Sequence, residues 1–184
     1  MNVMKKLGSL AMVTFLLLFA SCASMGSYST YRTNLSDGYT NLTNGQYQAA
    51  IQQLLVAGQT DTTKAIPLAL AGQAAYQLGN YTQASQYLAQ AETRINGPDP
   101  AYVIIKGYEA LIAFRENKRE DGMAALHEYV RVSRFSYPDK SYYPVERMYR
   151  SGDIVLPALE RHINDGLSRY EMYLQQWGWN MLSG

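Results

Sequence analysis

The sequence predicts an all-α fold, on three observations. Apolar and small residues recur every three or four positions, as in Tyr81, Ala84, Leu88 and Ala91, the spacing that lines one face of a helix. The periodic stretches are separated by glycine-bearing breaks such as Leu78-Gly79-Asn80 and Asn96-Gly97-Pro98, where helices stop. The pattern around one break also repeats. Gly45 and Gly79 stand 34 residues apart, with Tyr47 and Tyr81, Ala50 and Ala84, Leu54 and Leu88, and Ala57 and Ala91 in step, and a fixed period of this length marks stacked helical units.

Taken in order, the chain opens with a segment that is not part of the fold. Lys5 and Lys6 precede an apolar run from Leu7 to Ala20. That run has the length of a secretory signal and is short for a membrane span. Residues 1–21 are therefore read as a signal peptide. The run ends in Phe19-Ala20-Ser21-Cys22, which resembles a bacterial lipobox, with Phe19 where Leu is usual. The resemblance implies cleavage before Cys22, a diacylglycerol on its sulfur and a third acyl chain on its amine. Two or more chains make anchoring stable rather than transient. Cys22 is the single cysteine, so no intramolecular disulfide is possible. Residues 22–30, rich in Ser and Gly, read as the lipidated cysteine and a flexible tether; the eight residues after Cys22 reach at most about 28 Å. Ala23 rather than Asp after the cysteine implies, by the resemblance, the outer membrane facing the periplasm.

Residues 31–135 carry the repeated pattern. Tyr31, Leu35, Tyr39 and Leu42 form the stripe of a first helix, which breaks at Gly45. Gly58 to Thr63 reads as a polar connector. Pro67 falls in the first turn of the next helix, where its missing donor costs little. Ala71, Gly72 and Ala75 give that helix a small-residue face that a second helix can approach. Gly79 ends it, and Asn80 with Gln83 reads as a capping box for its successor. Asn96 to Pro100 is a stop and restart, with Asp99 as cap. A third copy holds Tyr108, Ala110, Ala113 and Phe114. Asn117 stands 38 residues after Gly79, which implies about four residues inserted near the break. Asn117 with Glu120 reads as another capping box.

Residues 136–184 depart from the period. Residues 136–152 hold two prolines and four tyrosines and read as an irregular crossing segment with a short helix near Glu146 to Tyr149. Leu156, Leu159, Ile163, Leu167, Tyr170, Leu174 and Trp177 then form the stripe of a long terminal helix, with Arg161, Asn164, Asp165 and Glu171 off the stripe.

Leu68, Gly72, Gly79, Tyr81, Ala84, Leu88 and Ala91 together resemble the tetratricopeptide repeat family, and so does the spacing from Gly45 to Gly79. The resemblance implies about three helical-hairpin repeats with the C-terminal helix as a cap, and a concave face lined by the first helix of each repeat. Carried over by offset, the partner-binding groove comprises Tyr39, Gln73, Tyr76, Gln77, Leu111, Phe114 and Arg115. Its mixture of aromatic and amide groups suits an extended peptide or a partner helix. The alternative occupant is the C-terminal helix itself.

Removal of Lys5 and Lys6 leaves 14 basic against 15 acidic residues. This near-neutral balance gives no electrostatic footprint for nucleic acid. His127 and His162 are the only histidines, and neither has a partner at metal-ligand spacing. No nucleophile-elbow serine and no phosphate-cradling glycine loop is present. No cofactor is implied, and the chain is not read as an enzyme. The expected role is a membrane-tethered scaffold for other envelope proteins or peptides. The alternative is a small-ligand-binding module or a subunit of an uptake system.

Overall fold

The computed structural model describes residues 26–176 except 98, 137 and 138, with side chains as far as 169. The signal segment, Cys22 and Trp177 lie outside the described residues. The protein is all-α, with eight helices and no strand among the described residues. They are α1 (26–43), α2 (Tyr47–Thr60), α3 (Ile66–Gln77), α4 (Tyr81–Glu92), α5 (Ala101–Arg115), α6 (Arg119–Ser136), α7 (Tyr143–Ser151) and α8 (Leu156–Gln176).

Three helices end in the same backbone arrangement. Gly45, Gly79 and Asn117 all adopt positive φ, at 74°, 77° and 58°. The amide after each reaches back five residues: Gln46 N–H to Asn41 O, Asn80 N–H to Ala75 O, and Lys118 N–H to Ala113 O, at 2.8–3.0 Å. This is the Schellman ending, which satisfies carbonyls the helix itself leaves open. Gly79 has nothing within 4 Å of where a Cβ would sit, so only the left-handed backbone asks for glycine there. In each copy the next helix then starts from the following residue, with Ala50, Ala84 and Gly122 amides donating to Gln46, Asn80 and Lys118 carbonyls.

This geometry corrects both capping boxes. Asn80 makes no side-chain cap bond. Asn117 is the left-handed terminator of α5, a conformation Asn tolerates better than most residues. The cap expected at Asp99 is present: its Oδ1 accepts from the Ala101 amide at 2.8 Å. The extra residues of the third copy lie elsewhere than expected. The three-residue breaks 78–80 and 116–118 match; the lengthening sits in the linker 93–100 and in α5, which has 15 residues to the 12 of α3.

Two predicted linkers are shorter than expected. Residues 26–30, placed in the tether, are helical and exposed. The Thr30 hydroxyl donates to Gly26 O and the Asn34 amide to Thr30 O. Gly58, placed in the connector, lies buried in the last turn of α2. Pro67 and Leu68 approach to 3.6 Å of its would-be Cβ, and Arg94 Nη1 donates to the Gly58 and Lys64 carbonyls at 3.0 and 3.1 Å. The guanidinium thus stands in for the hydrogen bonds that a helix end lacks.

Short breaks force consecutive helices to fold back on one another. The closest packing is α3 on α4 and α5 on α6, with α2 on α3 and α3 on α5 joining the pairs. Small residues set these approaches: a Cβ on Gly38 would meet Leu54 at 2.7 Å, and one on Gly72 would meet Leu88 at 2.7 Å. These two contacts are 34 residues apart, and Ala110 and Leu126, both fully buried, occupy the third set of positions. At the far end α7, longer than expected, packs on α6 and α8. Glu146 of α7 is buried and takes Arg134 of α6 at 2.5 Å and Arg150 at 2.6 Å.

Candidate functional site

The first helices of the three hairpins, α1, α3 and α5, share one side of the molecule with α8. Between them lies a cleft of about 320 Å³. Leu70, Ile104 and Leu167 form its apolar floor; Tyr39, Thr43 and Gln73 from the hairpins and Asn164 and Ser168 from α8 supply its polar groups. Among the described residues no charged side chain lines it. Such a surface holds an apolar group by burial and orients it through hydroxyl and amide hydrogen bonds.

The groove residues predicted from the sequence divide here. Tyr39 and Gln73 are half-buried and line the cleft. Tyr76 and Leu111 do not offer a surface: they are 3% and 0% exposed. The reason is α8, which covers the α5 end of this face with Leu159 and Ile163, both fully buried. Phe114 is half-buried and faces α6 instead, its ring filling the space beside Gly122. Gln77 is half-buried in the last turn of α3.

Tyr76 is the centre of a polar and aromatic cluster. Its ring lies 5.4 Å from that of Tyr81 and 5.2 Å from that of Tyr108. Arg115 Nε donates to the Tyr76 hydroxyl at 2.6 Å, and its Nη2 donates to Glu160 of α8 at 2.5 Å. The same guanidinium stands 5.3 Å from the Tyr76 ring and 5.5 Å from the Tyr81 ring, a favourable place for a cation. Burial pushes the Tyr76 phenol up to about 12, against the pull of Arg115. It therefore stays protonated at neutral pH. One turn further along α8, Asn164 Oδ1 accepts from the buried Tyr108 hydroxyl at 2.7 Å.

Sequence reasoning missed Glu160, Asn164 and Ser168. The apolar stripe places Asn164 on the other side of α8, yet its Oδ1 turns inward to the Tyr108 hydroxyl. The available signal was its place beside Ile163 and one turn from Glu160. Neither feature alone separates an inward amide from a solvated one.

Compared with models of known protein families and with curated proteins, the chain has no match.

Proposed function

We propose that this chain is a tetratricopeptide-like scaffold of the bacterial envelope, lipid-anchored through Cys22, which binds other envelope proteins or peptides through the side formed by α1, α3 and α5. The observation that carries the repeat reading is the threefold recurrence of one turn at Gly45, Gly79 and Asn117. Units that share a turn and stack in sequence generate one continuous face, the usual binding surface of such arrays. The cleft beside Tyr39 and Gln73, uncharged among the described residues, favours a partner segment with an apolar anchor and backbone groups to pair with the amide. Among the described residues no helix is long and apolar enough to cross a membrane.

A photo-crosslinking amino acid placed at Gln73, and separately at the exposed Gln86 of α4, tests this in intact cells. Discrete adducts from position 73 and none from position 86 are expected. Adducts of equal pattern from both positions, or from neither, sink the reading. A second reading is favoured by one observation: α8 narrows the face to a cleft of about 320 Å³, the size that suits a small molecule. Native mass spectrometry of the purified protein decides it, since a retained small ligand adds a fixed mass.

A further inference from the structure

Helix α8 meets the face of α3 and α5 through residues at i, i+3, i+4 and i+7. Glu160 pairs with Arg115 at 2.5 Å. Ile163 lies where Gly107 leaves room, its Cγ2 only 3.0 Å from a would-be Cβ. Asn164 takes the Tyr108 hydroxyl, and Leu167 is buried at the edge of the cleft. This is the spacing by which a groove reads a bound helix. The two polar contacts make the reading selective. A helix without the carboxylate leaves Arg115 short of its partner, and one without the amide strands a buried hydroxyl, the costlier of the two failures.

We propose that this surface is a helix-reading site, that α8 is its resident occupant in cis, and that a partner's amphipathic helix with a carboxylate, a branched aliphatic, an amide and a leucine in that spacing takes its place. The inference rests on the reading of this face as an interaction surface and adds the class of partner and its regulation. Three features support exchange. Among the helices whose packing is described, α8 rests chiefly on α5 and α7. It is joined to α7 by only residues 152–155, led by Gly152 at φ 75°. The Arg115–Glu160 pair keeps 33% and 22% of its side-chain surface exposed, so a competing carboxylate reaches it from solvent. Exchange of like for like leaves the apolar burial unchanged. The balance then turns on the two polar contacts and on the effective concentration of the tethered helix, of millimolar order for a short linker. A free helix competes only when it is abundant or when the resident one is weakened.

The test uses the full-length protein carrying Glu160→Gln and Asn164→Ala together, and a fluorescein-labelled synthetic peptide of residues 156–176 as the probe. The peptide restores both partners that the variant's own α8 has lost. It is expected to bind the variant at least about tenfold more tightly than wild type, as loss of a charge-assisted and a buried hydrogen bond permits. Amide exchange over residues 156–168 is expected to quicken in the variant. A peptide carrying the same two substitutions is expected to lose the advantage. Equal binding of the two peptides, unchanged exchange in α8, or a dimer formed by swapping α8 between copies overturns the proposal. Crosslinks from position 73 that persist while the peptide fails would sink the exchange of α8 and leave the binding face standing.

Discussion

Tyr76 shows how far a single residue is legible. Its offset in the repeat predicts the inner side of α3; the structure turns it toward Tyr108 and Arg115 of α5. Depth is the part that spacing does not encode. Glu160, which closes over it through Arg115, lies 45 residues from that arginine, and no local pattern announces the meeting. Leu111 is buried for the same reason, while Gln73, one turn before Tyr76, escapes the cover and stays at the cleft. The burial sets a clear expectation for mutation. Tyr76→Ala removes a ring packed against Tyr81 and Tyr108 and should cost about 3–5 kcal/mol of stability. Tyr76→Phe keeps the ring and deletes only the acceptor of the Arg115 bond, for a loss of about 1 kcal/mol. Urea unfolding of both variants checks this. Wild-type stability in the alanine variant would return Tyr76 to the surface.

At the scale of the element, the helix endings were readable where the chain must turn left-handed and less so where side chains compensate. Gly45 and Gly79 announce their turns, because glycine meets the least resistance at positive φ. Asn117 marked the third break correctly, but its role was mistaken: an asparagine at a break serves either as a cap or as a left-handed terminator, and the residue type is the same. The third hairpin also packs two positions differently. In the second hairpin Tyr76 stands on α3 and Ala84 on α4; in the third, Phe114 stands on α5 and Gly122 on α6. The phenyl ring occupies the missing methyl's place, with atoms 2.8–2.9 Å from a Cβ built on Gly122. Gly122→Ala should therefore destabilise the protein by about 1–2 kcal/mol through overpacking, although alanine is the better helix former by about 1 kcal/mol. Pairing it with Phe114→Leu should recover at least half of that loss. A double-mutant cycle reads the coupling directly. Strictly additive effects would show that the ring swings clear and that the two positions are independent.

For the whole molecule, the all-α class and the order of its elements follow from period and breaks, whereas under the proposed anchoring the distance of the folded part from a membrane would depend on a short stretch after Cys22. The sequence predicts an eight-residue tether; the structure has helix already at residue 26. At most three residues, 23–25, lie between Cys22 and the described helix, and three residues reach at most about 11 Å. The exposed turn of 26–30 adds about 7 Å of helical rise before Tyr31 enters the core. An anchor on Cys22 would hold the first hairpin, with Tyr39 at the cleft, within a few tens of ångströms of the bilayer. The anchor is the tested quantity. Cys22→Ala removes the only thiol to which a diacylglycerol could be attached, and no other cysteine can replace it. The variant should either leave the membrane fraction or accumulate as a larger, unprocessed precursor, visible by fractionation and gel mobility. Its thermal unfolding should match wild type once the precursor segment is absent, since Cys22 precedes every described residue that packs in the core. Unaltered membrane association together with unaltered processing would rule out lipidation at Cys22. Membrane release without loss of the position-73 crosslinks would show that the anchor sets location alone and that partner recognition resides in the helical fold.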